Sequence, residues 1–210
     1  MAQAEQISIE ANSLDELLAS SSVLRGEIWL SCTSPLKHQL PQLTGNGHQE
    51  GVGAINQIRR VDGEWSGVNT DGLGFINACK HFGIDPKDKI LKIRGGGSAA
   101  RAIASSWARS GGLLIPLRGR RVLPPGPWDG AVVDSGNADL AVDMEVPAAG
   151  EPSQEIAANR QVTVSYNEGT DPSEFSIAML AAQHLESWKS FFSPENSDRL
   201  PELTEIIAAL

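Results

Sequence analysis

The sequence predicts an α/β fold, in which short strands alternate with helices along the chain. Residues 89–94 and 113–117 are typical of short strands, and residues 99–109 between them predict a helix. Three consecutive glycines join the first of these strands to that helix. A chain of 210 residues with 40% hydrophobic and 20% charged residues is long enough to bury a core and excludes wholesale disorder.

The N-terminal elements follow from capping and turn signals. Ser13 with Glu16 three residues later predicts a helix start, as in a capping box. Residues 27–32 are typical of a short strand that ends in a polar turn. The Asp-Gly pair within residues 61–65 predicts a hairpin, and residues 72–81 are apolar at helical spacing.

The second half of the chain predicts two more strands and two more helices. Residues 131–134 and 140–144 are short apolar segments in a stretch rich in Ala, Val and Asp, and both predict strands. Residues 176–192 and 201–210 predict helices. The chain contains no internal repeat.

The charge of the chain is unevenly distributed. With 17 basic and 26 acidic side chains the net charge is −9, but residues 87–121 carry nine basic side chains and only one acidic one. Such a segment inside an acidic protein indicates a local anion site rather than affinity for nucleic acid, because the remaining negative charge repels a long polyanion. A basic face neutralised by the rest of the chain is the alternative, and charge alone leaves both open.

Several classes of protein are not expected. No apolar run approaches the ~18 residues of a membrane span, and the polar first ten residues do not resemble a signal peptide. Cys32 and Cys79 form neither a disulfide framework nor a metal-ligand pattern. The expectation is a cytoplasmic protein with free thiols, no bound metal and no membrane partner.

The glycine triplet predicts a phosphate-binding turn. It has the order strand, G-x-G-x-x-A, helix, which brings backbone N–H groups and a helix N-terminus to a pyrophosphate. A flexible turn is the alternative, and Lys92 and Arg94 are unusual in a central parallel strand. The candidate cofactor-binding residues here are Gly95, Gly96, Gly97, Ser98 and Ala99.

The second strand of this unit runs into an arginine cluster, Arg118, Arg120 and Arg121. A fold selective for NAD carries an acidic residue about 20 residues after the glycines to hold the ribose 2′-hydroxyl. Arginines at that place favour a 2′-phosphate, and therefore NADP. A solvated basic loop is the alternative.

Five motifs together resemble the shikimate dehydrogenase family. In chain order they are Thr33-Ser34-Pro35-Leu36-Lys37, Gly53-Ala54-Ile55-Asn56, Asn69-Thr70-Asp71-Gly72-Leu73-Gly74-Phe75, Gly95-Gly96-Gly97-Ser98-Ala99-Ala100-Arg101-Ala102 and Met179-Leu180-Ala181-Ala182-Gln183. They match the family's T-x-P-x-K, G-A-x-N, N-T-D-G-x-G-F, G-x-G-G-A-A-R-A and M-L-x-x-Q segments. Each polar segment alone is also compatible with ordinary turn chemistry.

The resemblance implies a truncated α/β substrate-binding lobe, residues 1–72 and 176–210, and a compact Rossmann-like NADP-binding lobe, residues 73–175. It implies reversible, NADPH-dependent reduction of 3-dehydroshikimate to shikimate, or of a related polyhydroxylated cyclohexane carboxylate, in aromatic amino-acid biosynthesis. Lys37 and Asp71 match the catalytic pair. The positions that match substrate-binding residues are Thr33, Asn56 and Gln183.

The chain also departs from the family pattern. The family's first strand and helix, with an S-x-S segment for the substrate carboxylate, are not recognisable, and the three serines at 20–22 do not reproduce their context. The family's tyrosine after D-M is replaced near Glu145, and the N-R-T segment is reduced at residues 116–119. A catalytically weakened paralogue that binds a ligand or partner is therefore the alternative. An uncovered sheet edge predicts a homodimer.

Overall fold

The protein, represented by a computed structural model, is described for residues 5–45, 51–145, 155–164, 173–192 and 194–210. The strands form two sheets, one of three antiparallel strands and one of four parallel strands, and helices pack against both. The predicted α/β fold, with a Rossmann-like parallel sheet, is confirmed. In the described part of the chain no helix is long and apolar enough to cross a membrane.

The elements are numbered in chain order. The strands are β1 (Ile28–Ser31), β2 (Gln57–Val61), β3 (Glu64–Val68), β4 (Ile90–Arg94), β5 (Leu113–Leu117), β6 (Leu140–Asp143) and β7 (Arg160–Val162). The α-helices are α1 (Leu14–Ser22), α2 (Leu40–Thr44), α3 (Asp71–His81), α4 (Ser98–Arg109), α5 (Glu174–Ser187) and α6 (Leu203–Ala208).

The antiparallel sheet has the order β1-β2-β3. Its hairpin turns at Asp62 and Gly63, whose φ angles of 52° and 88° belong to the left-handed region that an Asp-Gly turn supplies. Leu17 of α1 and Leu40 of α2 are buried against Ile58 of β2. This small core is separate from the larger one around the parallel sheet.

The parallel sheet has the order β5-β4-β6-β7, with β4 paired to both β5 and β6. The two charged residues of β4 are accommodated by their neighbours. Arg94 forms an ion pair with Asp143 of β6, and Lys92 Nζ donates to the carbonyl of Ala157 at 2.8 Å. Because both cationic groups have partners, these side chains do not prevent Leu91 and Ile93 from being fully buried on the same strand.

Helix α3 lies between α4 and α5, and two of its glycines permit close contact. A Cβ at Gly72 would overlap the carbonyl oxygen of Ala102 on α4. A Cβ at Gly74 would lie 2.7 Å from the Cβ of Gln183 on α5. Both glycines of the N-T-D-G-x-G segment are therefore required by helix packing.

Four elements differ from the sequence predictions, and the first is helix α2, which was not predicted. The strand expected at 131–134 is wrong: Asp129–Ala131 is a 3₁₀ turn, and Val132 makes only an isolated bridge to Leu114. The turn is stabilised over a strand because the buried Trp128 donates to the carbonyl of Pro124, and Asp129 Oδ1 accepts from the backbone N–H of Gly126. Strand β7 was not predicted, and the helix expected at 176–192 is α5 followed by a π-helical segment.

Candidate functional site

Lys37 and Asp71 meet although they belong to different parts of the fold. Lys37 lies in a 3₁₀ turn, Leu36–His38, and Asp71 is the first residue of α3. Lys37 Nζ donates to Asp71 Oδ2 at 2.8 Å, and the two side chains are 14% and 5% exposed. The backbone of Lys37 is held by the N–H of Ile55, which donates to its carbonyl at 2.8 Å.

Asn56 fixes the carboxylate from the other side. Its Nδ2 donates to Asp71 Oδ1 at 2.9 Å and lies 3.2 Å from both Thr70 Oγ1 and Gln183 Oε1. Its Oδ1 accepts from the backbone N–H of Thr70 at 2.8 Å. Lys37, Asp71, Asn56 and Gln183 therefore form one continuous, mostly buried network.

The network leaves donors for a ligand. An ammonium group has three N–H donors, and among the described residues Lys37 Nζ has only the carboxylate of Asp71 as a partner. Thr33 stands apart from the network, on an exposed turn where its carbonyl accepts from the N–H of Lys37 at 3.3 Å. The structure thus brings four of the five predicted catalytic and substrate-binding residues together and places Thr33 at their edge.

The glycine turn borders a cavity of about 480 Å³. Gly95 has a φ of 112°, and a Cβ at Gly96 would overlap the carbonyl oxygen of Val122. The turn therefore requires glycine at both positions. The lining residues are Ser34, Gly95, Gly96, Gly97, Arg120, Arg121, Met144 and Glu145.

The remaining predicted cofactor residues occupy different positions around this cavity. Ser98 and Ala99 are the first two residues of α4, at its N-terminus. Arg120 and Arg121 line the cavity, whereas Arg118 is not among its lining residues. The side chain of Arg120 is 75% exposed, so most of its guanidinium is open to solvent.

Glu145 was not predicted as a site residue, yet it lies in the cavity. Its Oε1 accepts from the backbone N–H groups of Arg120 and Arg121, and its Oε2 lies 3.6 Å from Arg120 Nε. The side chain is 16% exposed. The signal that could have found it is its place just after β6, because the carboxyl ends of parallel strands line the crevice of such sheets.

Sequence reasoning also missed a contact between Arg101 and His38. Arg101 Nη2 lies 2.9 Å from His38 Nδ1, and Arg101 Nε is buried without a hydrogen-bond partner among the described residues. Burial and the charge of Arg101 hold the pKa of His38 below its ordinary value, against a hydrogen bond to the backbone of Gly53. Burial and the charge of Arg121 lower the pKa of Arg101. Arg101 and Arg121 therefore form a cationic cluster beside His38.

The two cysteines are free and buried. Burial raises the pKa of Cys32 to about 11 and that of Cys79 to about 12, so neither is an activated thiol. Among the described residues no group of His, Cys, Asp and Glu side chains is arranged to hold a metal ion.

Comparison with known proteins relates this arrangement to one group of enzymes. The chain matches no family model. It is 38% identical over 104 residues to shikimate dehydrogenase (NADP(+)) of Methanococcoides burtonii, which is 49% of this chain and 38% of that relative. It is 46% identical over 70 residues to quinate/shikimate dehydrogenase of Shigella flexneri, which is 33% of this chain and 28% of that relative.

The fold has a matching neighbour among solved structures. Shikimate 5-dehydrogenase of Thermus thermophilus, solved in complex with NADP(H) and shikimate, matches with a TM-score of 0.70 at 22% identity. The match covers 93% of this chain and 82% of that one. The chain spans well under half the length of the curated relatives that it matches. The resemblance inferred from the motifs is confirmed, because sequence relatives and structural neighbours alike are named shikimate dehydrogenases.

Proposed function

We propose that this homologue of the shikimate dehydrogenases is an NADP-dependent oxidoreductase. It interconverts 3-dehydroshikimate and shikimate, or a closely related polyhydroxylated cyclohexane carboxylate. The observation that carries the proposal is the buried Lys37–Asp71 pair, bonded through Asn56 to Gln183. Ser34, three residues before Lys37, lines the same cavity as the glycine turn. The names of the relatives support both the cofactor and the substrate class.

The cavity fits the proposed cofactor. A Cβ at Gly97 would meet nothing within 4 Å, so the backbone of the turn is open to close approach by a pyrophosphate, and the N-terminus of α4 follows directly. Arg120 and Arg121 supply guanidinium groups, which pair bidentately with phosphate. When bound, NADPH would supply a hydride to the ketone.

The chain's own residues donate the proton and bind the hydroxyl groups of the substrate ring. Lys37 Nζ donates a hydrogen bond, and then a proton, to the ketone oxygen as negative charge develops on it. Asp71 holds Nζ in place and stabilises its charge, since its Oδ2 lies 2.8 Å away. The Asn56 and Gln183 amides can each donate to and accept from ring hydroxyls.

A spectrophotometric assay tests the proposal. Shikimate with NADP⁺ should produce reduced nicotinamide, and quinate with NAD⁺ serves as the parallel substrate pair. Calorimetric titration should show tighter binding of NADP⁺ than of NAD⁺, because no acidic residue stands at positions 118–121 to accept a ribose diol. Equal or tighter binding of NAD⁺ would contradict the cofactor assignment.

A ligand-binding paralogue without turnover is the second candidate. One observation favours it: the Glu145 carboxylate, bonded to the backbone of Arg120 and Arg121, lies inside the proposed cofactor cavity. Binding of NADP⁺ without its reduction by any of the polyol substrates would favour this candidate over the enzyme.

The lobe boundaries are part of the proposal. Residues 1–72 and 176–210 form the substrate-binding lobe, and residues 73–175 form the nucleotide-binding lobe. Contacts of α5 and the segment after it with the antiparallel sheet support the division. They join Gln183 to Asn56 and the ring of Trp188 to that of Trp29, with centroids 4.5 Å apart.

We further propose that the chain is a cytoplasmic homodimer. Its free, buried thiols support a reducing compartment. An apolar groove of about 590 Å³ beside α5, with exposed Leu180, Trp188 and Leu210 among its lining residues, supports self-association. Light scattering that reports a monomer across micromolar concentrations would contradict the dimer.

A further inference from the structure

The side chain of Glu145 lines the cavity and reaches from the end of β6 to the loop after β5. It starts just after β6, passes Gly95, where a Cβ would lie 3.7 Å from Glu145 Cγ, and ends on the loop that follows β5. A Cβ at Gly119 would overlap its Oε1. The glycine at position 119 therefore leaves the space that this carboxylate fills.

The atoms that hold the carboxylate are those that an anionic ligand would need. Two backbone N–H groups, of Arg120 and Arg121, and the Arg120 guanidinium converge on it. Adjacent backbone N–H groups with a guanidinium form a site for a phosphate oxygen as well as for a carboxylate. A phosphate cannot occupy these donors while Glu145 does, because the two groups need the same hydrogens and carry charge of the same sign.

We propose that Glu145 is a built-in competitor for phosphate at the turn formed by Arg120 and Arg121. A phosphomonoester binds there only after the carboxylate withdraws, and removal of its charge opens the site. The inference rests on the proposed function in one respect: it identifies the physiological phosphomonoester with the 2′-phosphate of NADP. NAD, which lacks that phosphate, does not compete for these donors.

The test compares the wild-type chain with two substitutions of Glu145. Glu145→Gln keeps the size of the side chain and removes its charge, and Glu145→Asp keeps the charge but is one methylene too short to hold the same bonds. Glu27→Gln is the matched control, because Glu27 forms a surface ion pair with Arg59 on the antiparallel sheet, away from the cavity. Circular dichroism confirms that each variant is folded.

Calorimetry with NADP⁺ and NAD⁺ gives the first readout. Glu145→Gln should bind NADP⁺ about tenfold more tightly than the wild type, the equivalent of one charge-assisted hydrogen bond no longer contested. Glu145→Asp should show a smaller gain. Binding of NAD⁺ should change less than about twofold, and Glu27→Gln should match the wild type with both nucleotides. Unchanged or weaker binding of NADP⁺ by Glu145→Gln shows that the carboxylate shapes the turn instead, and overturns the proposal.

Inorganic phosphate gives a second readout that does not depend on the cofactor assignment. Phosphate should raise the Tm of Glu145→Gln more than that of the wild type or of Glu27→Gln, since a ligand that binds only the folded state stabilises it. If neither nucleotide binds but phosphate still distinguishes the variants, the proposed cofactor fails and the competitor role stands. If phosphate shifts every variant equally, the competitor role fails.

Discussion

Two carboxylates of the proposed site are held in different ways. Asp71 is bonded by the side chains of Lys37 and Asn56 and is only 5% exposed. Glu145 is bonded mainly by backbone N–H groups of the loop after β5 and is 16% exposed. The first carboxylate lies in a network of residues matched to a catalytic motif, whereas the second occupies donors that suit a ligand.

The difference indicates which part of the proposed site can bind a ligand without breaking a bond that the free protein already makes. On the Asp71 side, Lys37 has further N–H donors beyond the one given to its partner, so a substrate oxygen can bind without displacing that bond. On the Glu145 side, a phosphate must replace an intramolecular bond, and its affinity is reduced by whatever that bond contributes. We therefore expect changes near Asp71 to affect turnover and changes near Glu145 to affect cofactor affinity.

The largest expected effect is on kcat, and it follows from removing the Lys37 ammonium group. Lys37→Ala should lower kcat by about 10²- to 10⁴-fold, the usual contribution of general acid–base assistance. The affinity for NADP⁺, measured by calorimetry, should change little, since the proposed cofactor contacts are elsewhere. Lys89→Ala, which removes a half-exposed partner of Asp139, is the control and should retain wild-type kcat. Turnover that survives Lys37→Ala would contradict the catalytic role.

The next effect concerns the helix that carries Asp71. Gly72→Ala places a Cβ against the Ala102 carbonyl and the Ser106 hydroxyl, so α3 and α4 must move apart. We expect the free energy of unfolding to fall by about 1–3 kcal/mol, the usual cost of overpacking. In urea denaturation Gly130→Ala, which meets nothing within 4 Å, should stay within about 0.5 kcal/mol of the wild type. Equal stabilities of the two variants would show that the helix contact is not tight.

Asn56→Ala sharpens the comparison by removing the support of Asp71 and leaving Lys37 in place. Buried acceptors on Asp71 and Gln183 lose their donor, so the free energy of unfolding should fall by about 1–3 kcal/mol. The KM for shikimate should also rise. Asn77→Ala, which removes one half-buried hydrogen bond to Glu186, is the matched control for the denaturation experiment. A smaller loss for Asn56→Ala than for this control would mean that the network contributes little.

The smallest expected effect is a pH dependence of the free energy of unfolding, which comes from His38 beside Arg101. Because burial and Arg101 lower the pKa of His38, the unfolded chain takes up that proton at higher pH than the folded protein. His38 therefore costs no stability well above pH ~6.5 and reduces it as the pH falls below that value. His38→Asn should lose less stability between pH 7.5 and pH 5 than the wild type in urea denaturation. If the free energy of unfolding changed with pH equally in the wild type and in His38→Asn, the lowered pKa of His38 would be contradicted.

Local signals predicted the elements well wherever one residue decides the geometry. Ser13 accepts from the backbone N–H of Glu16 at the start of α1, and the Asp-Gly pair makes the β2–β3 turn. The strand expected at 131–134 failed because apolar content does not reveal a turn stabilised by Trp128 and Asp129. Strand β7 has three residues, too few to show a period.

The site was predictable where the motif is local, and less so where tertiary contacts decide. The spacing of Lys37 and Asp71 in sequence contains no sign of their 2.8 Å contact, which the family resemblance suggested and the fold provides. The pairing of Arg94 with Asp143 needs the order of strands in the sheet, which no local pattern determines. In the sequence Glu145 marked only the place where the family's tyrosine is replaced. Its role in the site was not predictable, because its partners are backbone atoms of a loop more than 20 residues away.

The contact at Gly72 determines what any opening of the cleft would do to the chemistry. Asp71 begins α3, and α3 is packed closely against α4, which follows the glycine turn. Lys37 follows Leu36, which packs in the core of the antiparallel sheet, and Asn56 directly precedes β2. Asp71 therefore belongs by its bonds to the proposed substrate-binding lobe and by its helix to α4, so any shift of α4 against the antiparallel sheet would be passed to the carboxylate that holds Lys37 Nζ.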